Sequence, residues 1–592
     1  MIVKMKKLTL LCTRASREET LEALRTLGVV HLKHIQPPEG GDLEEARNLF
    51  DHLKRALEVL PKHPHAAPSG KEPHDVVKSV WKLIHRRQVL TEQIDALDRE
   101  IRLYEPFGNF SPQTVKELSE QGISVILCRL PLKNMPEIPG DVNVVELSRD
   151  GSTLYAALIA RGELSIEDVN EVALPGESLA DMKQRLTDLE AQLEKTEQEF
   201  HSFAGDRDVV AGLTADAEAR VRYLEARAGM GFAEEVYYLR GFFPAEEEQK
   251  IRTAAAENGW AVFIEDPSAD DAVPTLLRNP KWVKPITAVL DMIGVSPGYR
   301  ELDISAVFLI FLSIFFAFII GDAGYGVMFI VATLFFKRKL HGNEKAKPGL
   351  NLLMIMSTCT VIWGTLTGTW FGITPEALPA PLKNLRLDWL SGDTDTVGQH
   401  IMYICFVIGT IHLLIAHVWN FIRKINSWAC LSDLGWVLST CTMFFAVGTM
   451  VLSNPFPPVM LYVLGVGVAL VIISVVLERE YFGLVTLVLD VINNFVDIIS
   501  YVRLYAVGAA SFAIANAFNE MAVGALGEKG IFIGGLIAAV CIFFGHALNI
   551  VLGAMGILVH GIRLNTLEFS SHAGVQWGGF DFKPFSKRKE EV

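Results

Sequence analysis

Arg503 stands in the segment NNFVDIISYVRLYAVGAASF, residues 493–512, among side chains that lipid would accommodate. An arginine near the centre of a bilayer costs about 2.5–3.5 kcal/mol on insertion scales. Its guanidinium cannot escape that cost by losing a proton, because its pKa stays above about 12. It therefore needs a permanent anionic or aqueous neighbour. Arg563 has a similar setting but lies nearer the polar end of its apolar stretch, where it can partly snorkel. Polar residues lead up to both. Asp490, Asn493, Asn494, Asp497 and Ser500 recur at spacings of three and four ahead of Arg503, and His546, Asn549, Gly553, Gly556, His560 and Arg563 repeat the pattern. Such spacing gathers side chains on one helix face, so each stripe is expected to be wet on one side. The competing reading is helix–helix packing by Asn, Ser and small residues. It stands level for Asn549, Ser511 and the glycines, and is preferred for His412 and His417 in IGTIHLLIAHVWN.

These residues need membrane helices to hold them. Apolar stretches long enough to span lie near 350–373, 398–422, 431–453, 457–477, 484–525 and 531–569. The last two are about twice the length a bilayer requires, so they must tilt strongly or project from it. An earlier stretch, 304–336, reads either as one long helix or as two short spans hinged at Gly321-Asp322-Ala323-Gly324. Loop charge decides between them. KRKLHGNEKAK, Arg423-Lys424 and the tail SKRKEEV are short and basic, which puts them on the cytoplasmic side; SNPFPP and GEKG, with one lysine between them, belong opposite. The opening MIVKMKKLTLLCTRASRE is too briefly apolar for a secretory signal, so the first half is also expected in the cytoplasm. An even number of crossings then separates it from KRKLHGNEKAK, which makes 304–336 a broken hairpin and the total eight segments.

The totals agree with this division. Half of the 592 residues are hydrophobic, yet the formal net charge is −14. Both hold only if charge and hydrophobicity are segregated along the chain, and up to about Arg300 the sequence is charge-rich. The acidic balance and the lack of a basic, aromatic-interleaved patch argue against a nucleic-acid partner. Seven scattered cysteines with no C-x-x-C pair read as buried thiols in a reducing compartment. Leu43, Ala46, Phe50, Leu53, Leu57 and Leu60, then Leu90, Ile94, Leu97, Ile101 and Tyr104, follow a heptad seam; Leu179, Met182, Leu186, Leu189, Leu193, Phe200 and Phe203 follow another. With an α/β unit between them (strands in SVILCRL, VNVVELS and LYAALIA), an antiparallel coiled coil is the simplest arrangement. KKLTLLCTR, EEVYYLRGFFP and WAVFIED are read as further strands, the last two returning the chain near its start. No phosphate loop, H-E-x-x-H or G-x-S-x-G occurs, so no cofactor, metal site or catalytic nucleophile is expected. The histidines of KHPHAAPSGKEPH read as a solvated linker.

The fold expectation is thus an α-helical polytopic membrane domain with eight membrane segments over 304–570. A junction at 281–303 and a cytoplasmic α/β and coiled-coil rod over 1–280 precede it, and a cytoplasmic tail at 571–592 follows. At this point the motifs NPKWVKPITAVLDMIG, FAFIIGDAGYG, WGTLTGTWFG, SYVRLYAVGAASFA and HGIRLNTLEF resemble those of the membrane stator subunit of V-type and A-type rotary ATPases, subunit a or subunit I, along essentially the whole chain. The resemblance implies a non-catalytic subunit in a prokaryotic cell membrane. Its partners would be a rotor ring of small membrane subunits, peripheral stalks and, through the stalks, a soluble ATPase head. It also implies that Arg503 faces the ring's ion-carrying carboxylate, with Arg563 as a supporting arginine and Glu568 as a carboxylate beside it. Two departures stand out. Asp303-Ile304-Ser305 replaces the family's usual Asp-Pro-Thr, and Gly553 stands where eukaryotic members carry a channel carboxylate, leaving His546 and Asn549 as candidate lining. The alternatives are a stand-alone secondary transporter, with Arg503 as a substrate clamp and GDAGYG as a broken-helix site, and a membrane-tethered scaffold. The missing inverted repeat counts against the first, and the intramembrane arginines against the second.

Overall fold

The computed structural model describes residues 1–62, 68–132, 138–162, 169–373, 378–390, 394–479 and 481–587. His63 and His65 of the linker and the end of the basic tail lie outside them. The chain divides into two units. One comprises Met1–Leu10, Val29–His31 and Gly241–Pro584; the other comprises Leu11–Gly28, Leu32–Arg240 and Phe585–Val592. This division by contacts falls at Arg240, whereas the sequence reading sets its rod boundary at 280.

The chain opens with β1 (Met5–Thr13), α1 (Arg17–Leu27) and β2 (His31–Lys33). In the second unit, α2 (Gly41–Val59) and α3 (Pro73–Tyr104) lead to α4 (Pro112–Glu120) and a small sheet. Its strands are β3 (Ile123–Pro131), β4 (Asn143–Asp150), β5 (Thr153–Arg161) and β6 (Asn170–Val172), ordered β4-β5-β3-β6. β3 and β5 pair antiparallel from Ile123 opposite Arg161 to Pro131 opposite Thr153. Then α5 (Leu179–Ser202) and α6 (Arg207–Ala228) return. Arg86 and Arg87 of α3 face Glu199 and Glu197 of α5 at 4.0 and 3.6 Å, while Leu97 and Ile101 cluster with Leu179 and Met182, so the two helices run antiparallel. Likewise Leu43 and Ala46 of α2 pack with Val221 and Leu224 of α6. Leu186, Leu189 and Leu193 are only half-buried because a single partner helix covers one side of the seam. A short turn separates α5 from α6, and there the buried Asp206 carboxylate accepts the Ser69 amide at 3.0 and 3.2 Å.

β7 (Gly231–Ala233) forms a hairpin with β8 (Val236–Pro244), followed by α7 (Glu248–Asn258) and β9 (Ala261–Glu265). In the first unit the Met5–Leu10 part of β1 lies between the end of β8 and β9. The strands read from EEVYYLRGFFP and WAVFIED are thus not neighbours, because the chain's first strand separates them. Thr275 exchanges backbone hydrogen bonds with Phe580 and Phe582 at 2.8 and 3.0 Å, and Gly579 donates to Ser296 at 3.1 Å. Up to Pro584 the tail segment belongs to this unit.

After α8 (Thr287–Ile293) come α9 (Ser305–Ile320) and α10 (Ala323–Lys339). Gly321, at φ +65°, ends α9 in a left-handed conformation that a Cβ would strain. Asp322 caps α10, its Oδ1 accepting the amides of Gly324 and Tyr325 at 2.8 and 3.2 Å. The chain folds back here. The Phe316 and Phe329 rings lie 6.2 Å apart, whereas a straight helix would separate them by about 20 Å. Next come α11 (Lys347–Thr367), the short α12 (Ala380–Lys383), α13 (Thr394–Arg423), α14 (Ala429–Leu452), α15 (Val459–Glu478), α16 (Phe482–Ser500), α17 (Val502–Lys529), α18 (Gly535–Gly556) and the short α19 (Ser570–Ala573).

Among the described residues, six helices are long and apolar enough to cross a membrane, counting α16–α17 and α18–α19 as one each; α9, at 16 residues, is apolar but shorter. The two longest stretches are not continuous α-helices. Tyr501 interrupts the first, and π-turns at Ile557–Gly561 and Leu564–Phe569 interrupt the second. GEKG is not an open loop, since α17 runs on to Lys529 and a π-turn, Gly530–Gly534, follows. α17 and α18 then lie antiparallel, Phe518 against Gly545 and Ser511 against Asn549.

Candidate functional site

Glu568 sits between two arginines. Arg503 Nη1 donates to Glu568 Oε1 at 3.1 Å, and Arg563 Nε lies 3.5 Å from the same oxygen. The carboxylate is 5% exposed, whereas the Arg503 and Arg563 side chains are 31% and 50% exposed. Glu568 Oε2 has no hydrogen-bond partner among the described residues. Arg563 and Glu568 are five residues apart, which in an α-helix would turn them about 140° from one another. The π-turn over Leu564–Phe569 has an i→i+5 repeat and brings them together. Arg503 lies in the first turn of α17, two residues past a well-anchored break. The Tyr501 hydroxyl bonds His412 Nδ1 at 2.8 Å, and His412 stacks between Phe311 and Phe569 at 3.9 and 4.2 Å. Gly409 admits the Tyr501 ring, since a Cβ there would stand 2.5 Å from it.

One polar cluster flanks the end of α16. His572 Nε2 and Asp497 Oδ2 are 2.9 Å apart, and His572 Nδ1 and His417 Nε2 are also 2.9 Å apart. Asn420 Nδ2 donates to the His572 carbonyl at 3.0 Å, and Ser500 donates to the Asp497 carbonyl at 2.7 Å. The expected 490–500 stripe is only partly one face. Asn494 is buried against Thr440 of α14 at 2.9 Å, while its neighbour Asn493 is exposed and Asp490 half-buried. Consecutive residues point about 100° apart, so the two asparagines serve different surfaces.

A second cluster lies farther along α17. Tyr325 OH and His546 Nδ1 are 2.6 Å apart, and Asn549 Nδ2 donates to Tyr325 OH at 3.1 Å and to the Ser511 carbonyl at 3.0 Å. Ser511 donates to Asn549 Oδ1 at 3.0 Å; His546 Nε2 and Asn519 Oδ1 are 3.2 Å apart. Asp322 braces this end, its carboxylate accepting the Phe371 and Gly372 amides at 2.8 and 2.9 Å besides its own cap. Gly553 faces Ile320, whose Cδ1 would be 2.7 Å from a Cβ at that position. An apolar contact thus occupies the place of the carboxylate that the resemblance leads one to expect. His560 is half-buried on the first of the two π-turns.

Arg503 therefore lies between two polar clusters. Asp497 precedes it by about 9 Å of helix and Ser511 follows by about 12 Å. The expected stripes contain members of both clusters, but sequence reasoning assigned no role to His572 or Asn519, and placed Asp322 and Tyr325 only in the hinge block GDAGYG. It also favoured packing for His417, which the structure hydrogen-bonds to His572. A signal existed for His572, which continues the three-and-four spacing four residues past Glu568 into sequence that had already turned polar.

No family model matches the chain. V-type ATP synthase subunit I of Borreliella burgdorferi is 30% identical to it over 618 aligned positions, covering the whole of both chains. V-type ATP synthase subunit I 1 of Treponema pallidum is 28% identical, over 99% of this chain and all of its own. A-type ATP synthase subunit I of Methanocaldococcus jannaschii is 26% identical, over 73% of this chain and 67% of its own. A crystal structure of the cytoplasmic N-terminal domain of subunit I, homolog of subunit a, of V-ATPase aligns with 44% of this chain and 99% of its own at 18% identity; its TM-score of 0.23 is too low to support an argument from shape. Full-length identity to the first of these relatives places the chain in the subunit I family of V-type and A-type ATP synthases.

Proposed function

We propose that this chain is the stator subunit of a rotary ATPase or ATP synthase, with Arg503 facing the ion-carrying carboxylates of a rotor ring. The observation that carries this reading is the partly exposed Arg503 guanidinium between two polar clusters, backed by Glu568. A carboxylate that meets Arg503 is stabilised in its ionised form, so it gives up its ion there and regains one on the far side. An arginine cannot discharge, so it also keeps the two aqueous half-channels apart. Asp490, Asn493, Asp497 and Ser500 contribute to one half-channel, with Asn494 holding their helix against α14; His546, Asn549 and His560 contribute to the other. Arg563 and Glu568 hold the electrostatic balance behind Arg503. In this reading α9 and α10 complete eight membrane segments, with the basic loops and the second unit in the cytoplasm. That second unit meets the peripheral stalks, and through them the ATPase head.

The test is ATP-driven ion uptake into vesicles carrying the assembled complex. Arg503→Gln is expected to assemble and to transport nothing measurable. Arg503→Lys should fail or nearly so, because lysine lacks the planar fork and can lose its proton when desolvated. Arg563→Gln should lose less. Coupled uptake by Arg503→Gln would overturn the proposal, and loss of assembly in place of transport would assign Arg503 to packing.

A further inference from the structure

Asp497, His572 and His417 form an unbroken hydrogen-bonded row with two contacts of 2.9 Å, drawn from α16, α19 and α13. With Asp497 ionised and both rings neutral, only one assignment of hydrogens satisfies both contacts. Asp497 can only accept, so His572 Nε2 carries a proton toward it. That makes His572 Nδ1 an acceptor, and His417 Nε2 must donate to it. His417 Nδ1 is then a bare lone pair. The structure leaves that atom buried with no partner among the described residues, on a side chain only 4% exposed. At the other end of the row the Asp497 side chain is 24% exposed. The charged groups around the row are Lys424, paired with Asp433 at 3.0 Å, and the Arg503–Glu568–Arg563 group one turn before His572. His412, five residues before His417 on α13, bonds Tyr501, the second residue before Arg503.

Resting on the proposed stator function, we infer that Asp497, His572 and His417 are the proton relay of the half-channel on the side of the basic loops, and that the transported ion is the proton. A proton arriving at His417 Nδ1 displaces the Nε2 proton onto His572 Nδ1. The His572 Nε2 proton passes to Asp497, which releases it to water. One proton enters and one leaves, and each ring's proton returns from Nδ1 to Nε2 by exchange with water, which resets the donors. Sodium cannot use this row, because it is a hard cation that needs oxygen ligands and the row's middle is imidazole nitrogen.

The experiment uses the whole complex in vesicles, reading proton uptake with a pH-sensitive dye and sodium uptake with radioactive sodium. The unsubstituted complex is expected to take up protons and no sodium. His572→Gln and His417→Gln are expected to assemble, to lose proton uptake at least about tenfold, and to regain part of it with added imidazole, which a packing defect would not allow. Full uptake by both variants, sodium uptake by the unsubstituted complex, or failure of both variants to assemble would each overturn the relay. Arg503→Gln, run alongside, separates the two ideas: its silence with normal His572→Gln rejects only the relay, and its normal uptake rejects the stator reading itself.

Discussion

Glu568 gives Arg503 a resident counterion, so a carboxylate that approaches from outside must compete for the same guanidinium. The competition has to be close to even, because a partner that wins outright is never released. Glu568→Gln removes one side of it and leaves two guanidiniums facing a neutral amide. ATP-driven uptake by that variant should fall about tenfold or more, equivalent to roughly 1.4 kcal/mol, with assembly intact. Glu568→Asp, which keeps the charge but shortens the reach, should recover part of the loss. Uptake at the unsubstituted level in Glu568→Gln would remove this group from transport. Arg503 was legible from sequence because its cost in lipid has no bland explanation. The Glu568 contact was legible only through resemblance, since five-residue spacing on an α-helix separates side chains and nothing in LNTLEF announces a π-turn. His417 was legible as a polar contact between helices, but its partner was not, because that partner lies 155 residues away.

At the scale of elements, the helical hairpins follow from physics that sequence displays openly. Apolar length sets the spans, Gly321 and Asp322 break one stretch in two, and heptad spacing gives the antiparallel pairs of the second unit. What sequence hides is where a long apolar stretch bends. The break at Tyr501 carries no Pro or Gly; it depends on Gly409 and His412 of another helix making room for a ring and a hydroxyl. The side of the membrane on which each connection lies can be tested by labelling. A cysteine at Asn343 should react with an impermeant reagent from the cytoplasmic side, and one at Phe456 from the opposite side. Reaction of both from one side would sink the eight-segment arrangement.

At the scale of the whole molecule, the division at Arg240 was the least legible feature, because composition changes near 300 while the sheet containing β1 recruits residues beyond 240. The segment after α19 belongs to that same unit. Removing residues 576–592 should lose the backbone bonds of Thr275 with Phe580 and Phe582, each contributing about 1 kcal/mol, and speed tryptic cleavage at Arg278 and Lys281. Unchanged cleavage would show that the tail adds nothing there. The same connectivity bears on how the protein is made. The Met5–Leu10 strand leaves the ribosome among the earliest residues, yet its neighbours β8 and β9 follow more than 200 residues later, after the second unit is already long enough to fold. Throughout that interval the strand has bare edges, which in a crowded cell invite pairing with the wrong chain. Completion of its unit waits until α19 and the Phe580 segment have been delivered. Biogenesis of this protein is therefore a matter of guarding one early strand until β8 and β9 arrive.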